Sequence, residues 1–138
     1  MTRQEILDFV RSNPTSFMAT LDNGEPRVRG MQTAQISDGG LTFCTGTHKD
    51  ICKQLLANEA VELAYWDESG GVMLRLHGRM EPVDSLDLKQ EIVNTTFQFL
   101  KPVVKQHGYE SLALFRFAGG EYKLWDRNQG GREETGTF

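Results

Sequence analysis

Asp22-Asn23-Gly24 constrains this chain more than any other stretch. Asn-Gly favours the two positive φ angles of a two-residue hairpin turn, so the flanking segments must run antiparallel. Before it, Ser16–Leu21 reads as a strand. After it, roughly Pro26 to Ile36 reads as a long returning strand. That strand is polar in its middle, with Arg27, Arg29, Gln32, Thr33 and Gln35 where a half-buried strand needs fewer such groups. Ser37-Asp38-Gly39-Gly40 then turns the chain into a strand over Leu41–Thr45.

The rest of the chain repeats this logic. Residues 2–12 place Thr2 and Glu5 at capping-box spacing, followed by Ile6, Leu7, Phe9 and Val10 on one helical face. Asn13-Pro14 ends that helix. Val61–Trp66 and Val72–Glu81 read as strands, and Gly78 inside the second predicts a bulge or close approach of another backbone. From Asp84 the period becomes helical, with Leu88, Ile92, Val93, Phe97 and Leu100 in step until Lys101-Pro102 interrupts. Strands over Leu112–Phe117 and Tyr122–Trp125, joined by a turn at Gly119-Gly120, close the fold. The expected class is mostly β with helices (α+β), an antiparallel barrel of six to seven strands with helical lids. One domain spans residues 1–126. Residues 127–138 form a polar, Gly-rich tail, expected to be mobile unless docked.

The chemistry concentrates where the strand Leu41–Thr45 feeds a helix. Phe43-Cys44-Thr45-Gly46-Thr47-His48-Lys49-Asp50 leads into apolar positions 51, 52, 55 and 56, which give that helix one buried face. Thr47 is placed to cap it, with Asp50 completing a weakened capping box. Such a turn gathers backbone N–H groups, hydroxyls and an ammonium at one point, which suits a phosphate dianion. Capping of the helix alone accounts for the same residues. Arg27 and Arg29 likewise read either as a solvated strand face or as further cations for that anion.

Other classes are disfavoured. A net charge of −4 without a basic block argues against nucleic acid, and no apolar run spans a bilayer. The three histidines are scattered without ligand spacing, so no metal site is expected. Met1–Glu5 lacks the apolar core of a signal peptide. With only Cys44 and Cys52 present, free thiols in the cytoplasm are the expectation.

Four pieces, in order over about residues 3 to 126, resemble the short form of the pyridoxamine-5′-phosphate-oxidase-like FMN-binding split barrels. They are Gly24-Glu25-Pro26-Arg27-Val28-Arg29-Gly30-Met31; Leu41–Gly46 with Lys49; Leu55–Leu63, where Glu59 replaces the usual proline; and Leu76-His77-Gly78-Arg79-Met80-Glu81. The resemblance implies FMN at the interface of a homodimer, with a small-molecule substrate. It puts Arg29 near the phosphate and ribityl chain, beside Arg27, with Gly30, Met31, Gln32 and Thr33 along the isoalloxazine. Cys44 and Thr45 line the same wall, while Lys49, Thr47 and His48 hold the phosphate. Trp125 is one of the aromatics expected to cover a flavin. The family's larger oxidases have a glutamine at the position of Met73, a substrate-binding lysine at that of Ala34 and a C-terminal Arg-x-His that is absent here. An efficient pyridoxamine 5′-phosphate oxidase is therefore not expected. The expected function is an FMN-dependent oxidoreductase. The alternatives are a non-catalytic flavin-binding protein for storage, sensing or stress, and a barrel that has lost its cofactor and serves interactions.

Overall fold

The computed structural model describes residues 1–138. Helix α1 (Arg3–Ser12) opens with the Thr2–Glu5 capping box, both of its reciprocal bonds formed. Strands β1 (Thr15–Asp22) and β2 (Glu25–Gln32) follow, and the turn between them has φ of 50° at Asn23 and 80° at Gly24, as the sequence requires. Their register runs from Asp22 opposite Glu25 back to Thr15 opposite Gln32. Next come β3 (Gln35–Ser37), β4 (Gly40–Gly46), α2 (Asp50–Ala57), β5 (Ala60–Asp67) and β6 (Val72–Val83). Helices α3 (Leu86–Asn94) and α4 (Lys101–His107) precede β7 (Leu112–Asp126) and β8 (Arg132–Thr137).

The strands make one antiparallel sheet in the order β2-β1-β5-β6-β7-β4-β3, with β8 also paired to β7. The sheet curls without closing, the split barrel that the sequence implies. Side chains alternating inward, among them Met18, Leu63, Tyr65, Leu76 and Phe117, fill its interior, joined by Ile6, Leu7 and Val10 of α1 and Ile51, Cys52 and Leu55 of α2. A second cluster lies on the far side of β4 and β7. There Ala34, Cys44, Leu112 and Leu114 pack against Leu88, Ile92, Val93 and Phe97. β4 is therefore apolar on both faces because both are covered.

Five local expectations are corrected. The strand expected over Pro26–Ile36 is two strands. The N–H of Thr33 bonds Pro14 O and that of Ala34 bonds Thr42 O, each at 2.8 Å, so the chain changes partner there from β1 to β4. The expected final hairpin is one strand, β7, passing straight through Gly119-Gly120. It crosses Gly78 so closely that a Cβ on Gly78 would lie 2.8 Å from Gly119 O. The register shifts between Gly78 and Met80, which is the bulge expected at Gly78.

The tail is docked as β8, giving eight strands instead of six or seven, and Phe138 stacks on Phe117 with ring centroids 5.9 Å apart. Its Arg-Glu-Glu-Thr-Gly-Thr lacks apolar alternation because β8 is mostly exposed, and backbone bonding to β7 holds it. Lys49, not Thr47, is the N-cap of α2, without a side-chain bond, because a turn closed by the Lys49 N–H to Gly46 O at 3.0 Å delays the helix to Asp50 and leaves Thr47 two residues before the cap. Lys101-Pro102 starts α4, where a missing N–H in the first turn costs nothing, and α3 has already ended at Asn94.

Candidate functional site

Alternation along β4 sends Cys44 away from the barrel interior, toward the segment Phe97–His107 that caps this side. Between them opens a cleft of about 960 Å³, at the upper end of the range for small-molecule sites. Its barrel wall is Met31, Cys44 and Leu112. Its cap wall is Phe97, Phe99, Leu100 and Val103. One end is polar, formed by Thr45 near the end of β4 and by Thr47, His48 and Lys49 in the turn before α2. No ion pair engages Lys49 or His48. The first turn of α2 has no side-chain cap either, so the Asp50 and Ile51 N–H groups and the positive dipole end remain available to an anion.

Behind this end, Arg29 reaches from β2 across β1 to α2. Its guanidinium donates to Thr20 Oγ1 at 2.7 Å, Met18 O at 3.3 Å and Gln54 Oε1 at 2.6 Å. Gln54 Oε1 also accepts from the Thr20 hydroxyl at 2.6 Å, so one buried amide ties α2 to both strands. Partial burial lowers the arginine's pKa, and nearby Asp50 opposes that shift. Burial pushes the Cys44 thiol up to about 11, with Lys89 opposing. At neutral pH it is a protonated piece of apolar wall and not a nucleophile.

The structure thus brings together Met31, Cys44, Thr45, Thr47, His48 and Lys49 of the residues expected at a site. Arg29 lies behind them and lines no part of the cleft. Arg27 is exposed beside Asp22, at 3.7 Å. Gly30 pairs with Phe17 toward the outer face of the sheet. Gln32 lines a separate cleft of about 300 Å³ at the β2–β3 corner, and Thr33 is buried there with its hydroxyl 2.7 Å from Tyr65 Oη. Trp125 lies on the outer face with Trp66, ring centroids 6.4 Å apart, and the Arg127 guanidinium stands 5.6 Å from the Trp66 ring. Sequence reasoning missed Gln54 and the cap wall. The apolar period from Leu88 to Leu100 pointed to a packed helix, and only Phe99, off that period, signalled a second surface.

The model of the family described as pyridoxamine 5′-phosphate oxidase matches residues 2–125. The chain belongs to that family. Among solved structures, a NimC/NimA family protein from Clostridium acetobutylicum superposes with a TM-score of 0.77 at 22% identity, covering 98% of this chain and 91% of that one. A protein related to general stress protein 26, from the same organism, gives 0.72 at 18% identity, covering 98% and 92%. HutZ, the heme storage protein from Vibrio cholerae, gives 0.68 at 18% identity, covering 90% and 93%. At these identities the likeness is one of fold, and for the first two it spans nearly the whole chain. No curated protein matches the chain.

Proposed function

We propose that this member of the family binds FMN in the cleft and acts as an oxidoreductase on a small molecule. One observation carries the reading: the barrel wall of the cleft, Met31 and Cys44, leads into a lysine, a histidine, two hydroxyls and an uncapped helix start. A planar ring system joined to a phosphate has that same polarity, so the donor set fits the group. Lys49, His48 and Thr47 hold the phosphate, with Arg29 adding its charge from behind α2. Met31, Cys44 and Thr45 lie along the rest. Bound there, FMN supplies one- or two-electron transfer, and the protein supplies position and access. No membrane-spanning helix is present. With both cysteines buried and free, a cytoplasmic location accompanies this reading.

The working unit is a homodimer. Phe17 and Val28 are 60% and 68% exposed, and the β1–β2 register puts them on one outer face with Gly30. A second copy would cover that strip, and its Trp66–Trp125 pair is the aromatic surface able to reach a neighbour's cofactor. Efficient oxidation of pyridoxamine 5′-phosphate is not part of the proposal. Ala34 is buried and apolar, and no lysine or arginine of the cap lines the cleft to hold a second phosphate.

A second reading has one observation behind it. His48 and His107 both line the cleft, and HutZ is a heme storage protein, so a storage role for heme is the competing class. Denaturing the purified protein and chromatographing what it releases separates the two. FMN as the main species supports the proposal, while FAD or heme overturns it.

A further inference from the structure

The cleft has more apolar wall than a phosphate end uses, and the cap determines what else it accepts. Along α4 and the residue before it, Leu100, Val103 and His107 form one stripe at i, i+3 and i+7, facing the cleft. Lys101 and Lys105, the cations of the same segment, fall off that stripe and line no part of the cleft. Phe97 is buried beneath the cap. Phe99 tilts over it at 5.3 Å between ring centroids, yet remains 70% exposed at the cleft. Glu110, an anion, lies next to Ser111, whose carbonyl accepts from the Thr47 N–H at 2.9 Å, and the opposite wall offers Leu112 and the neutral Cys44 thiol.

We propose that the cap wall is a subsite for a second ligand, a neutral planar aromatic molecule that stacks on Phe99. The wall itself makes both selections. An exposed ring flanked by apolar side chains stacks on another ring. A cap wall to which no lysine or arginine contributes leaves an anionic group desolvated and unpaired. The proposal rests on the FMN reading only for what fills the other end; the chemistry of the cap is its own.

The test uses 1-naphthol and 1-naphthyl phosphate, which share a ring system and differ by a phosphate. Equilibrium dialysis against protein saturated with FMN should show at least roughly tenfold tighter binding of the naphthol. Phe99→Ala should weaken naphthol roughly three- to tenfold, the span of an aromatic pair. Val103→Lys should shift preference toward the phosphate. FMN affinity, followed separately by quenching of flavin fluorescence, should stay within about twofold in both variants, since the flavin is assigned to Met31, Cys44, Thr45 and the Lys49 turn and neither residue belongs to that set. Equal binding of the two probes, or a Phe99→Ala variant that binds naphthol unchanged, overturns the subsite. An equal loss of FMN in Phe99→Ala also overturns it, because the ring would then cover the flavin itself. If FMN does not bind but naphthol still depends on Phe99 in the protein as isolated, the flavin reading fails and the subsite stands.

Discussion

The barrel and the cap share β4 but are built differently. On the barrel side, Leu41 and Phe43 join an interior of eighteen buried apolar residues. On the cap side, Cys44 joins only eight, and the packing stops short to leave the cleft. The larger cluster is therefore the frame, and the smaller one is the part that can adapt to what enters. A site positioned on a rigid strand and closed by a lightly packed segment needs both kinds of packing.

Substitutions can break this comparison. Phe117→Ala, in the fully buried barrel interior, should cost about 3–5 kcal/mol by urea unfolding, and a loss below about 1 kcal/mol would mean the barrel is not the frame. Alkaline pH probes the shared strand. Cys44 titrates at about 11 when folded against an ordinary 9.0, because burial disfavours the thiolate. The folded chain keeps a proton that the unfolded chain gives up. This contribution is thus constant below pH 9 and is lost as pH rises through 11, by about 2–3 kcal/mol. Comparing urea midpoints at pH 8 and 11 in wild type and Cys44→Ala checks this, and an undiminished fall in the variant would place the effect elsewhere. Gln54→Leu strips a buried acceptor from Arg29 and Thr20 and should cost about 1–3 kcal/mol, with Gln54→Glu milder. Phe99→Ala, exposed on the cap but paired with Phe97, should change stability by no more than about 1 kcal/mol. A larger loss would make that ring structural.

How far the sequence could be read follows the same division. Asn23-Gly24, the Thr2–Glu5 box and Gly78 act through backbone geometry that only a few residues satisfy, so the hairpin, the first helix and the bulge were legible. The family pieces carried the split barrel and the turn from Cys44 to Lys49. Illegible were features decided by distant partners. Thr47 is held by Ser111 in a turn that ends two residues before the helix cap, and Arg29 is drawn to Gln54 from another element. β8 forms through backbone pairing with β7 and leaves no apolar signature. Pro102 read as a stop because a helix start and a helix break look alike when the preceding segment is apolar and periodic.

The central claim is that the Lys49 end of the cleft receives the phosphate of FMN. Affinities of FMN and riboflavin, measured side by side in wild type and Lys49→Ala, test it most directly. The account predicts tighter binding of FMN in wild type. It predicts a loss of roughly ten- to a hundredfold for FMN in the variant, as for one charge-assisted hydrogen bond, with riboflavin nearly unchanged. Equal weakening of both ligands, or no weakening of either, would contradict it.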